Sequence, residues 1–112
     1  VLFINRQNLR ITIDELTDVH CLCSMPITKD HKNAAGGVMG GAIFTLGDFA
    51  FAVASNNRHR ITVAQQVSIN FLSGSRGSRL FARAVCKKDG NIDITDDLGR
   101  DVAQFVGTGY KL

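Results

Sequence analysis

Between Gly41 and Asn57 nearly every position is apolar, broken by Thr45 and Asp48 before the closing Ser55-Asn-Asn, whereas on both sides of this run apolar and polar residues alternate. A stretch that is apolar all round predicts a helix that must be covered on most of its surface. Upstream, Leu9, Ile11 and Ile13 alternate with Arg10 and Thr12, which predicts a first strand within Val1–Ile13. Val19, Cys21, Cys23 and Met25 then share one face of a second strand that stops at Pro26, and His31–Gly41 reads as loop.

Downstream of the helix the pattern predicts strands over Thr62–Leu72, Ser78–Lys88, Asn91–Thr95 and Asp101–Lys111. They are separated by Ser73-Gly-Ser-Arg-Gly77, Asp89-Gly90 and Asp96-Asp-Leu-Gly99. Asp-Gly and Asp-Asp-Leu-Gly are hairpin turns, so the strands that flank them should be antiparallel neighbours. One covered helix and one antiparallel sheet define an α+β domain in which the sheet curls round the helix. The strand after Gly90 is short, which predicts that about half of its partner lacks a neighbour and that residues are missing after Gly90.

At 112 residues the chain is long enough for one core, so 1–112 is read as a single domain. A net charge of +3, with no basic residues interleaved with exposed aromatics, argues against a nucleic-acid binder and leaves an anionic small molecule as the simpler partner. The cysteines Cys21, Cys23 and Cys86 form no CxxC pair and are odd in number, which implies neither a zinc site nor a disulfide framework. No histidine has a neighbour at ligand spacing, so no metal is expected. Asp93, Asp96, Asp97 and Asp101 lack the spacing of a calcium loop. The apolar run Phe49–Ala54 is too short to span a bilayer. With no signal peptide or lipidation motif, the expectation is a cytoplasmic protein away from membranes, and the absence of an initiator Met fits a trimmed N-terminus.

The candidate chemistry lies where loop meets helix. Asp48 is a lone carboxylate among hydrophobic neighbours, and such a group shifts its pKa, finds partners or faces a cavity where it is used. Eight residues earlier, the glycine-rich turn offers unpaired backbone N–H groups at a helix N-terminus, which suit a polarised carbonyl or an oxyanion. Together they point to acyl chemistry. The turn is no phosphate loop, because no Lys follows and the GxGxxG spacing is absent.

These residues resemble a known family. His31-x-Asn33-x-x-Gly36-x-x-x-Gly40-Gly41 with Asp48 seven residues on, supported by Val67-Ser-Ile-Asn-Phe71 and by Asp93-Ile-Thr95, is similar to the pattern of PaaI-like thioesterases of the hotdog fold. The resemblance runs from Ile11 to Tyr110 and implies a long central helix wrapped by a curved antiparallel sheet. It implies an acyl-CoA substrate, no cofactor, and a role for Asp48 as nucleophile or general base. Asn33 would position the attacking water or the substrate, and Gly40 would donate its N–H to the thioester carbonyl, with Gly41, His31, Met39, Ala64 and Gln65 beside the substrate. Arg76 or Arg79 would meet the phosphates of coenzyme A. His31 is expected to hold the loop rather than act as a base.

Eight residues on one helix separate Gly40 from Asp48 by roughly 12 Å, too far for both to touch one carbonyl. If both act, they belong to different subunits, which predicts at least a homodimer with two shared sites and, by pairing of dimers, a homotetramer. Two departures bear on rate: Met39 stands where many relatives have His, and Ala64 where a Ser or Thr often assists. They leave two alternatives beside hydrolysis: a non-catalytic acyl-CoA binder or sensor, and an enoyl-CoA hydratase or dehydratase with His31 as base.

Overall fold

The computed structural model describes residues 10–18, 20–32, 37–56, 62–75, 77–86 and 90–111, with backbone alone for 30, 62–64, 86, 110 and 111. Their order is β1 (Thr12–Leu16), β2 (His20–Pro26), a single 3-10 turn (Lys29–His31), α1 (Gly40–Asn56), β3 (Thr62–Phe71), β4 (Arg79–Cys86), β5 (Gly90–Asp96) and β6 (Asp101–Lys111). The strands form one six-stranded sheet in the order β1-β2-β4-β5-β6-β3, with every pairing antiparallel. The sheet curves round α1, which packs against all its strands but the β1 edge. This is the hotdog arrangement. No described helix is long and apolar enough to cross a membrane.

The alternation read in the sequence builds the inner face of the sheet. Cys21, Cys23 and Met25 of β2, Leu80, Ala82 and Ala84 of β4, Ile92 and Ile94 of β5 and Phe105 of β6 are buried beneath the helix. From α1 they receive Ala42, Ile43, Leu46, Phe49, Ala50, Phe51 and Ala54. Each large side chain buried here contributes about 1.5–3 kcal/mol. Close approach is secured by small residues. A Cβ on Gly47 would lie 2.8 Å from Cδ2 of Phe105, so the helix rests on the sheet at a distance that only glycine permits at this position. Cys21 and Cys23 are free thiols with their sulfurs 4.0 Å apart, and Cys21 Sγ donates to the carbonyl of Ala50.

Two expectations are corrected. The first strand does not run through the Leu9–Ile13 alternation but starts at Thr12, because Arg10 has φ 59° and breaks the extended backbone there. Ile11 is buried ahead of the strand while β1 itself is exposed throughout, as befits an edge. Nor is half of β4 left without a partner. β5 is seven residues long and pairs with β4 continuously from Leu80↔Asp96 to Cys86↔Gly90, since Gly90 and Asp96, read as turn residues, belong to the strand. The turn into β6 survives as predicted, closed by the carboxylate of Asp96 accepting the N–H groups of Leu98 and Arg100 and by Gly99 at φ 82°.

Candidate active site

The helix starts one residue earlier than its sequence suggests. Met39 is its N-cap, its carbonyl accepting the N–H of Ala42 at 3.0 Å and of Ile43 at 3.3 Å. Gly40 and Gly41 follow as the first helical residues, and their N–H groups have no partner among the described residues. Two unpaired donors at the positive end of a 17-residue helix make a site for a carbonyl oxygen on its way to an oxyanion.

His31 fixes where this end lies. It is 1% exposed, its carbonyl oxygen accepts the Met39 N–H at 2.7 Å, and Lys32 bridges Val38 just outside that bond. The ring is held in turn: Nδ1 accepts the backbone N–H of Thr28 at 2.9 Å and lies 3.1 Å from the Thr28 hydroxyl. With Nδ1 accepting, the other ring nitrogen, Nε2, is buried without a partner among the described residues. Nothing in the sequence pairs Thr28 with His31. The ring and the carbonyl of this residue thus tie the Thr28 turn to the start of the helix.

Asp48 lies two turns into α1, half-buried, with no hydrogen bond or ion pair among the described residues. Burial alone raises its pKa above the ordinary carboxylate value. Its surroundings explain why the carboxylate is tolerated. The helix, expected to be covered on nearly every side, is buried along Ala42, Ile43, Leu46, Phe49, Ala50 and Ala54, but a strip through Gly41, Thr45, Asp48, Ala52 and Ser55 is not. Thr45 in that strip already donates to the Gly41 carbonyl at 2.8 Å, which leaves Asp48 as its reactive group.

The other predicted residues are placed unequally. Asn33 and Arg76 lie outside the described residues. Met39 is 40% exposed at the helix start. Ala64 is paired with Gly109 on the edge strand β3, and Gln65 is the extra residue of a β-bulge immediately after it, exposed to solvent. Arg79 is not brought to the helix. The inward positions of β4 are Leu80, Ala82 and Ala84, so Arg79 points from the other face, where its guanidinium donates to Ser24 Oγ from both Nε (3.2 Å) and Nη2 (2.9 Å). Among the phenylalanines, Phe49 and Phe51 belong to the core, whereas Phe44 and Phe71 retain 36% and 55% exposure.

No protein-family model matches the chain. It is 31% identical over 105 residues to a putative esterase of Archaeoglobus fulgidus, covering 88% of this chain and 68% of the relative. To the acyl-coenzyme A thioesterase PaaI of Escherichia coli K12 it is 30% identical over 111 residues, covering 93% of this chain and 79% of the relative. The solved structure of E. coli PaaI superposes with a TM-score of 0.87 at 28% identity, over 96% of this chain and 83% of that one. A thioesterase-like protein of Streptococcus pneumoniae solved with coenzyme A shares the fold at a TM-score of 0.91 and 22% identity, over 99% and 94% of the two chains. Fold and relatives thus define a hotdog thioesterase. The chain belongs to the PaaI-type acyl-CoA thioesterase family.

Proposed function

We propose that the protein hydrolyses an acyl-CoA thioester to the free acid and coenzyme A at a site shared by two subunits. The observation that carries this reading is one helix strip left out of the core, which holds a half-buried Asp48 with a raised pKa and no partner among the described residues, on the same helix whose first turn offers the N–H groups of Gly40 and Gly41, likewise without partners among the described residues. Along α1 the eight residues between them span about 12 Å, so one carbonyl cannot engage both from the same chain. A second copy lying over the strip would cover it and bring its own Gly40 towards Asp48.

In such a site the carbonyl oxygen sits on the Gly40 N–H, which stabilises the charge that develops on it as the carbon becomes tetrahedral. Asp48 of the other subunit either takes a proton from the attacking water or attacks the carbon itself, and Asn33 orients the reactants. The carbon–sulfur bond then breaks and the thiolate leaves, taking up the proton that Asp48 drew from water; where Asp48 itself attacks, the acyl–Asp48 anhydride left behind is hydrolysed by a water molecule, which frees the acid and the carboxylate and supplies the proton to the thiolate. Without any cofactor, positioning and electrostatics supply the rate enhancement. The exposed thioether of Met39 beside the carbonyl site favours the alternative of an acyl-CoA binder without turnover, since it supplies no polar group.

Thiol release from short, medium, long and aromatic acyl-CoAs by wild type and Asp48→Ala separates the two. Turnover lost in the variant supports hydrolysis centred on Asp48, and tight binding without turnover by the wild type selects the binder. Sedimentation of the same samples reports whether the chain is a dimer or a tetramer, and a monomeric active enzyme would overturn the shared site.

A further inference from the structure

We infer that the inner face of β2 carries a metal site in which Cys21 and Cys23, with Met25 beside them, bind a soft monovalent cation of the cuprous class beneath the helix. The three residues occupy alternate positions of one strand, so their side chains point the same way, and all three are fully buried. The sulfurs of Cys21 and Cys23 stand 4.0 Å apart. Neither thiol takes part in the chemistry assigned to Asp48 and Gly40. A disulfide is not what this spacing serves. Its sulfurs must close to about 2.05 Å and its Cβ atoms to about 3.8 Å, whereas residues two apart on a strand are separated by about 6.6 Å. β2 is not free to bend and close that gap, because Cys21 is paired with Leu16 and Ala84 and Cys23 with Ile13 and Ala82, one ladder on each side.

A bridging ion fits where a bond does not. At the usual metal–sulfur distance of about 2.3 Å, an ion equidistant from two sulfurs 4.0 Å apart sees them at an angle of about 120°. That angle is trigonal and leaves a third place, for which Met25 offers a flexible thioether as the next inward side chain. The described residues add no third His, Cys, Asp or Glu side chain to the pair. Donors that are few and all sulfur suit Cu(I) rather than tetrahedral zinc. The histidine spacing on which the expectation of no metal rested does not bear on such a site. The hydrogen bond between the thiols holds that of Cys21 below its ordinary value and pushes that of Cys23 up, so the pair yields one proton more readily than two. On binding, the S–H bond of Cys21 breaks, its proton leaves to solvent and a sulfur–metal bond forms, while Cys23 and Met25 donate lone pairs. One thiolate and a monovalent ion leave the buried site neutral, whereas a divalent ion would leave a net positive charge in the core. β2 is the outermost strand that α1 covers, which puts the sulfurs one strand in from the exposed β1 edge.

The test uses the full chain carrying Cys86→Ser, which removes the third thiol, and cuprous ion supplied under argon as its acetonitrile complex. One equivalent should bind and raise Tm, because an ion held by the folded core stabilises it. In competition with a chromogenic cuprous chelator, affinity should fall at least about a hundredfold on adding Cys21→Ala or Cys23→Ala, and about tenfold on adding Met25→Leu, which keeps the core volume. X-ray absorption by the bound copper requires no core variant, so the site is tested even where an alanine variant fails to fold. Two or three sulfur neighbours and no lighter ones support the assignment; a single sulfur, or nitrogen or oxygen in the coordination shell, overturns it. Absence of stoichiometric binding, a Tm lowered by the ion, or an affinity that neither cysteine variant moves would overturn it as well.

Discussion

The carbonyl oxygen of His31 accepts the backbone N–H of Met39 at 2.7 Å, fixing His31 to the residue immediately before α1. The same residue is clamped through its ring by Thr28. Substituting His31 by Ala would leave a cavity and orphan the Thr28 N–H, at a cost of roughly 2–4 kcal/mol. Thermal unfolding should show a lowered Tm, and activity at a temperature where the variant is folded should fall because the residue whose carbonyl holds the Met39 N–H is no longer anchored to Thr28. Unchanged stability would mean that the clasp carries no strain-free energy of its own.

Asp48 gives a pH signature with a definite sign. Burial raises its folded pKa, so the stability associated with the protonated acid is complete below the unfolded value of about 3.9 and is lost as pH rises through the folded value. Asp48→Asn, uncharged throughout, should melt higher than wild type at about pH 7 and level with it at about pH 3. The same variant should lose at least about a hundredfold in kcat, and the acid limb of the wild-type kcat/KM profile should lie above that of an ordinary aspartate.

Gly40 occupies the first helical position, where proline is compatible with the backbone. Gly40→Pro removes the N–H without breaking the helix. If that N–H stabilises the oxyanion, kcat should fall about 10²–10³-fold while circular dichroism is unchanged. Gly40→Ala keeps the N–H and places a methyl 3.3 Å from Cζ of the Phe71 ring, so its effect on kcat should be far smaller.

Mixing these variants tests the shared site directly. Asp48→Ala and Gly40→Pro chains are each expected to be inactive alone. A mixed dimer regains one intact site from the two wild-type halves, so random reassociation should restore about a quarter of wild-type activity. A mixture as inactive as its components would place the two residues in separate chemistry.

Gly47→Ala probes the packing that sets the helix on the sheet. The added methyl meets Phe105 at 2.8 Å and Ile94 at 3.3 Å, which overpacks the core by about 1–3 kcal/mol, against roughly 1 kcal/mol of gained helix propensity. Calorimetry should show a lower Tm. A gain would mean that the sheet yields more readily than its buried side chains suggest.

Local signals made much of this legible. The continuous apolar run gave α1 to within a residue, and alternation gave Cys21, Cys23 and Met25 as one inward face. Both failures in the sheet came from backbone conformation that side-chain pattern does not report: the positive φ of Arg10, and the ladder that draws Gly90 and Asp96 into β5. The surroundings of Arg79 were illegible for a further reason. A basic residue after a turn looks the same whether it faces a ligand or, as here, is spent on Ser24 across the neighbouring strand.

By itself, then, the order of residues determined the elements, the inner faces and the pairing of a glycine-rich helix start with a lone Asp48, because periodicity and turn chemistry act over a few neighbouring residues. Only the tertiary structure decided that Thr28 and His31 clasp Met39, that Phe71 lies on Gly40, and that one strip of the helix carrying Asp48 stays uncovered. Those relationships join segments distant in sequence, and they follow from how closely the sheet can curl round α1 once Gly47 has brought the two together.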